Sequence, residues 1–144
     1  MKGRYWLRVF TLLLIAAAAA SPQNTALRTT DKPTESEHRR GPKGLEGWTL
    51  NSTIPDHPNE KYPFTLVIAR HGRIVQRIDG DPFVWKWIFW DGARKVAYET
   101  GSLHFNLQCN LADIATGRRL ASYDCFHGVP DNAPDWLQTL EGAQ

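Results

Sequence analysis

Residues 83–90 read FVWKWIFW and are followed at once by Asp91-Gly92. Three tryptophans and two phenylalanines fall within these eight positions. Aromatic and β-branched side chains suit a pleated, half-buried surface, and Asp-Gly is turn chemistry, so the stretch reads as a strand. On a pleat, Phe83, Trp85, Trp87 and Phe89 point one way, and Val84, Lys86, Ile88 and Trp90 point the other. A face of four rings without a charge is the expectation for a core, because each ring buries about 150–250 Å². Trp90 shares its face with Lys86 and stands beside the turn, so it is expected to be partly exposed.

The neighbouring segments repeat this grammar. Gly47-Trp48-Thr49-Leu50 reads as a short strand, and IPDHPNEKYP, with three prolines in ten residues, reads as a loop. FTLVIAR (64–70) is rich in β-formers, His71-Gly72 turns it, and RIVQRI (73–78) returns with Ile74 and Ile78 expected on one face. Asp79-Gly80-Asp81-Pro82 is a second turn. Beyond FVWKWIFW come KVAYET (95–100), LHFNLQCNL (103–111), a turn at Ala115-Thr116-Gly117 and RRLASYDCF (118–126). Short strands joined by tight turns make the fold class mainly β: one antiparallel meander of about five to six strands. A short helix closes the chain. Asn132 is placed to cap it, Pro134 and Asp135 suit its first turn, and Gly142 ends it. Trp136, Leu137 and Leu140 share its inner face, and Trp136 is expected to dock on the sheet.

LHFNLQCNL also supplies the candidate binding surface. Leu103, Phe105, Leu107, Cys109 and Leu111 form one apolar row, and His104, Asn106, Gln108 and Asn110 form a polar, almost uncharged one. Amides both donate and accept hydrogen bonds, which suits sugar hydroxyls or a peptide backbone. Trp90, His104, Asn106, Gln108 and Asn110 are therefore expected to share an accessible ligand face.

The first 44 residues have a different character. Lys2, Arg4 and Arg8 precede VFTLLLIAAAAA (9–20), a twelve-residue stretch apolar but for Thr11, where a membrane span needs roughly 20. Ala18-Ala19-Ala20 fits a small-residue cleavage site, so residues 1–20 read as a signal peptide of bacterial type. Residues 21–44 hold almost no large apolar side chain and read as a disordered spacer. The folded domain is expected over 45–142. The chain carries 17 Lys+Arg and 15 Asp+Glu; without the leader's three basic residues the balance is 14 − 15 = −1. Such a balance argues against nucleic acid or an anionic membrane as partner.

Both cysteines, Cys109 and Cys125, lie outside the leader. In an oxidising compartment they read as a disulfide across the last hairpin. Residues directly opposed in an antiparallel pair have a constant sum, which is 234 if the cysteines face each other. Ile114 opposite Arg118 makes it 232 and leaves them diagonal on one face, whereas an odd sum forbids the bridge. A nucleophilic Cys125 beside His127 is the alternative, and it needs a free thiol. His57, His71, His104 and His127 lack paired metal-ligand spacing, and Asp79-Gly80-Asp81 reads as a turn rather than a Ca²⁺ loop. Nucleophile elbows and phosphate loops are absent, so neither catalysis, cofactor nor metal is expected.

WIFWDGARKVAY, followed by NLADIATGRRLASY, resembles one blade of TolB-like and WD-type β-propellers over residues 87–123. That resemblance implies a blade-like four-stranded unit, not a closed propeller, and carries over no catalytic residue. The DPF-x-W-x-W-x-FW…LH…C pattern is similar to that of small exported bacterial proteins, a likeness that implies no activity. Together these readings point to a periplasmic or secreted, non-catalytic binding module of the cell envelope. Its expected partner is an envelope glycan, a peptide or another envelope protein, with no membrane span once the leader is removed. A structural accessory subunit and a hydrolase are the alternatives.

Overall fold

The computed structural model describes residues 31–102 and 104–143. The expected signal peptide, residues 21–30 of the expected spacer and Leu103 lie outside them. The protein is mainly β, as its turn pattern implies, but the meander is divided between two antiparallel sheets. The first holds β1 (Thr34–Glu35), β2 (Arg39–Arg40), β3 (Leu45–Ile54), β4 (His57–Arg70) and β5 (Arg73–Asp79). Its order is β1-β3-β4-β5, with β2 also paired to β3. The second holds β6 (Phe83–Trp90), β7 (Lys95–Gly101), β8 (Gln108–Asp113) and β9 (Arg119–Asp124) in sequence order. Helix α1 (Asp135–Glu141) follows.

Local chemistry accounts for the turns. His71 and Gly72 both have positive φ, 50° and 76°, the geometry that matches a tight hairpin to the twist of its strands. Between β6 and β7 the connection is a four-residue loop, 91–94, with positive φ at Asp91, Gly92 and Ala93, 54°, 60° and 66°. The Asp91 carboxylate also takes Arg94 at 2.7 Å and Lys95 at 2.9 Å. Those two cations hold its pKa down at about 2.

The two sheets face each other across the principal core. Leu45, Leu66 and Ile68 of the first meet Val84, Trp87, Val96, Tyr98 and Ala112 of the second. The approach is close at two glycines. A Cβ on Gly47 would stand 2.7 Å from the Trp87 ring, and one on Gly41 would run into the Phe89 ring. Both rings therefore approach where a side chain would block them. The outer face of the second sheet packs Ala97, Cys109 and Leu111 against Trp136, Leu137 and Leu140 of α1. Trp136 docks on the sheet as expected.

Several expectations need correction. The four rings of β6 do not share one face. Val84 pairs with Thr100 and Lys86 with Glu99, so Trp85 is an inserted residue that shifts the alternation by one. Val84 before the bulge and Trp87 and Phe89 after it belong to the inter-sheet core, whereas Phe83 and Trp85 pack with Tyr62 and Phe64. A bulge in β5 likewise skips Val75, pairing Ile68 with Gln76 and Ala69 with Ile74. Ile74 and Ile78 thus point to opposite faces, and Ile74 is 48 % exposed.

The proline-rich segment 54–63 is strand, except for the turn at Pro55-Asp56. β4 begins at His57, and its pairing with β5 begins only at Thr65. Pro58 and Pro63 therefore sit where the strand has a neighbour on one side, which a missing N–H tolerates. The expected spacer is ordered from residue 34. Thr34 and Glu35 pair with Asn51 and Leu50, and Arg39 and Arg40 pair with Gly47 and Glu46. His38 stacks on Trp48 at 4.1 Å. Backbone pairing to an existing strand edge and ring stacking replace the apolar side chains this segment lacks. Residues 104–107 are not strand; β7 ends at Gly101 (φ 145°), and Asn106 turns the loop at φ 59°. Helix α1 is preceded by Pro134 rather than capped by Asn132.

Candidate functional site

The expected ligand face is not assembled. Trp90 opposes Lys95, and Lys95 opposes Asp113, so Trp90 lies on the side of the odd-numbered β8 residues. It is half-buried and packs into the cluster under α1. Asn110 opposes Tyr98 and points to the other side, into the inter-sheet core, where it is 2 % exposed. Its Nδ2 donates to Thr100 Oγ1 and to the Gln108 carbonyl, while its Oδ1 has no partner among the described residues. Gln108 is half-buried and accepts a bond from Ser122. His104 and Asn106 are exposed, but on the loop that precedes the strand. Trp90 and the strand amides Gln108 and Asn110 thus stand on opposite faces of one sheet.

The disulfide expectation holds. Cys109 and Cys125 are joined, with Cα atoms 5.9 Å apart. Cys109 pairs with Tyr123 and Leu111 with Ala121, a sum of 232, so the cysteines are diagonal. At the turn Ala112 pairs with Arg119, a sum of 231, and the extra residue Leu120 shifts the register to 232 beside the cysteines. Asp113 Oδ1 accepts from Thr116 N and Oγ1, and Gly117 supplies the left-handed residue at φ 70°. These bonds from Thr116 hold the Asp113 pKa below its usual value.

A different site emerges at the mouth between the sheets. A cleft of about 240 Å³ is lined by Ser36, Glu37, Arg39, Thr49, Asn51, Pro63, Val84, Trp85 and Trp87. Each wall follows from a local feature. Thr49 and Asn51 lie two residues apart on β3 and project to one side, tied by a 2.8 Å bond from Thr49 Oγ1 to Asn51 Oδ1. The link between β1 and β2 is pinned to β3 by Ser36 N to the Thr49 carbonyl and Thr49 N to Ser36 Oγ, both 2.9 Å. That link carries Glu37 to the rim. Arg39 lies over the Trp87 ring at 5.3 Å, a cation–π distance. The bulge turns Trp85 toward the opening, and its Nε1 is held by the Gly101 carbonyl at 2.9 Å.

The cleft joins two indole rings to hydroxyl, amide, carboxylate and guanidinium groups within one concavity. Its volume lies below the roughly 300–1,000 Å³ of pockets for drug-sized ligands, so it suits one ring or a short segment of a polymer. Sequence reasoning missed it because Ser36, Glu37 and Arg39 sit in a segment whose composition signals disorder. The regular alternation of FVWKWIFW also gave no sign that Trp85 leaves the core. Among the described residues no group of three or more His, Cys, Asp or Glu side chains is placed to hold a metal ion. No helix among them is long and apolar enough to cross a membrane.

No protein-family model, curated protein or solved structure matches this chain.

Proposed function

We propose that the protein is a non-catalytic, exported binding module of the bacterial cell envelope, and that a saccharide unit of an envelope glycan occupies the inter-sheet cleft. The observation that carries this reading is the cleft lining: Trp85 and Trp87 beside Ser36, Glu37, Arg39, Thr49 and Asn51. A sugar ring offers an apolar face and a rim of hydroxyls. The half-buried indole of Trp85 offers a flat apolar surface for the first, with buried Trp87 forming the floor beneath Arg39, and amide, hydroxyl and charged groups answer the second. Export is supported by the charged and apolar leader pattern in residues 1–20 and by the disulfide, a bond that persists in oxidising compartments. Residues placed as a nucleophile with a neighbouring base, the minimum for acyl or glycosyl transfer through a covalent step, do not figure in this assignment.

The test is a titration of the disulfide-bonded protein with peptidoglycan fragments and neutral oligosaccharides, followed by tryptophan fluorescence. Binding is expected to shift the emission, and Asn51→Ala with Glu37→Ala is expected to weaken it while the thermal melt stays close to wild type. If no glycan on a broad array perturbs the emission or is retained by the protein, the assignment is wrong.

A further inference from the structure

The outer strand of the second sheet is β9, and among the described residues no strand lies beyond it. Such an edge presents unpaired N–H and C=O groups to any partner able to add a strand. Which groups point outward can be derived. Cys125 N donates to the Leu107 carbonyl, and Asp113 N donates to the Arg118 carbonyl. With Cys109 opposite Tyr123 and Leu111 opposite Ala121, alternation turns the backbone of Cys125, Tyr123 and Ala121 toward β8. The backbone groups of Asp124 and Ser122 therefore face away. Ala112 pairs with Arg119, so Leu120 is an inserted residue. The bulge resets the phase, and Arg119 faces away as well.

We infer that a second copy of this chain pairs with β9 edge to edge, about a two-fold axis through Ser122, and joins the two second sheets into one of eight strands. The phase just derived fits this pairing and carries its charges with it. Ser122 meets Ser122 of the other copy with both backbone groups outward. Ala121 meets Tyr123, and the bulge at Leu120 then brings Arg119 of one copy opposite Asp124 of the other. Arg119 pairs with Ala112, and Asp124 pairs with Gln108, so both side chains lie on the same face of the sheet. An antiparallel two-fold arrangement thus makes two identical Arg119–Asp124 pairs, whereas parallel pairing in register sets like charges together. Leu120 and Tyr123 add apolar surface, 39 % and 41 % exposed in the single chain.

Sedimentation of the oxidised protein over a range of concentrations tests this. The wild type is expected to form a dimer that weakens as salt rises, since exposed charge pairs are screened. Ser122→Pro removes an outward N–H, which no bond to β8 requires, and is expected to abolish the dimer with little change in circular dichroism. Arg119→Asp is expected to weaken association about tenfold or more, as two repulsions replace two attractions, and Arg119→Asp with Asp124→Arg is expected to restore it. A wild type that stays monomeric at the highest concentrations overturns the inference. So does a dimer indifferent to both Ser122→Pro and Arg119→Asp, which would place the interface elsewhere.

Discussion

The two faces of the second sheet are held by different physics. The inner face depends on shape. Trp87 is 5 % exposed and lies against the bare backbone of Gly47, and Phe89 lies against Gly41. Nothing covalent joins the sheets there, so the contact is as good as the fit of ring to glycine. The outer face carries a helix of only seven residues. A helix that short is unstable by itself, and it is fastened by several independent ties. The Cys109–Cys125 bridge fixes the chain just before it, and Gln138 Nε2 donates to the carbonyls of Asp131 and Ala133. Lys86 Nζ donates to the Glu141 carbonyl at 3.2 Å, at the end where the helix dipole favours a cation. Steric fit serves where two broad surfaces meet, and discrete ties serve where the packed area is small.

Trp87→Ala is expected to have the largest effect, about 3–5 kcal/mol in denaturant unfolding, because a large ring leaves a cavity between rigid sheets. Trp85→Ala should cost clearly less, since that ring is half-buried at the bulge. Equal losses would mean that β6 runs without a bulge. On the outer face, reducing the disulfide is expected to cost about 3 kcal/mol in the chain-entropy account of a loop this long. The far-ultraviolet helix signal should fade before the sheet signal on heating. Simultaneous loss of both would show that the two faces unfold as one unit.

Gly47→Ala sharpens the inner-face claim with a single methyl. Overpacking of this kind costs about 1–3 kcal/mol, and the same change at Gly92, where a Cβ meets nothing within 4 Å, probes the turn backbone alone. A Gly47→Ala protein that melts with the wild type would show that Trp87 does not rest on that glycine.

The smallest effect concerns Glu99, which is 8 % exposed on the outer face and opposite Lys86. Burial raises its pKa, Lys86 opposes the shift and Glu141 adds to it. An acid whose folded pKa lies above its unfolded value of about 4.5 makes the protein less stable as pH rises from that value through the folded one, and flat beyond. Glu99→Gln should therefore improve the melting temperature relative to wild type more at about pH 7 than below about pH 4. A difference independent of pH would show that Glu99 titrates as if exposed.

Much of the framework was legible in the sequence. The turns at His71-Gly72, Asp91-Gly92 and Gly117 follow from residues that accept positive φ, and the strands between them follow from composition. The cysteine sum of 232 was one of two even values compatible with a bridge, but Ile114 does not oppose Arg118: Asp113 bonds Arg118 in the turn, and the inserted Leu120 restores the even sum beside the cysteines. What misled were segments whose local signal was outweighed. Three prolines could not keep residues 54–63 out of a strand with only one neighbour. The alternation of LHFNLQCNL could not hold residues 104–107 in a ladder, because Gly101 and Asn106 turn the chain. The candidate binding residues failed for a related reason. Trp90 and Asn110 were assigned to one surface from separate patterns, and only the pairing of β6, β7 and β8 says which faces coincide.

By itself, then, the sequence determined the strand segments flanking each turn, the possibility of the bridge and the apolar side of α1, because these depend on residues near each other along the chain. Only the tertiary structure decided that the meander divides into two sheets, that Trp85 bulges toward a cleft and that residues 34–40 form its rim. The side-chain period of a strand is two, so one inserted residue sends every later side chain to the opposite face. Whether a residue is inserted depends on the partner strand and the opposing sheet, and those partners lie far away in sequence.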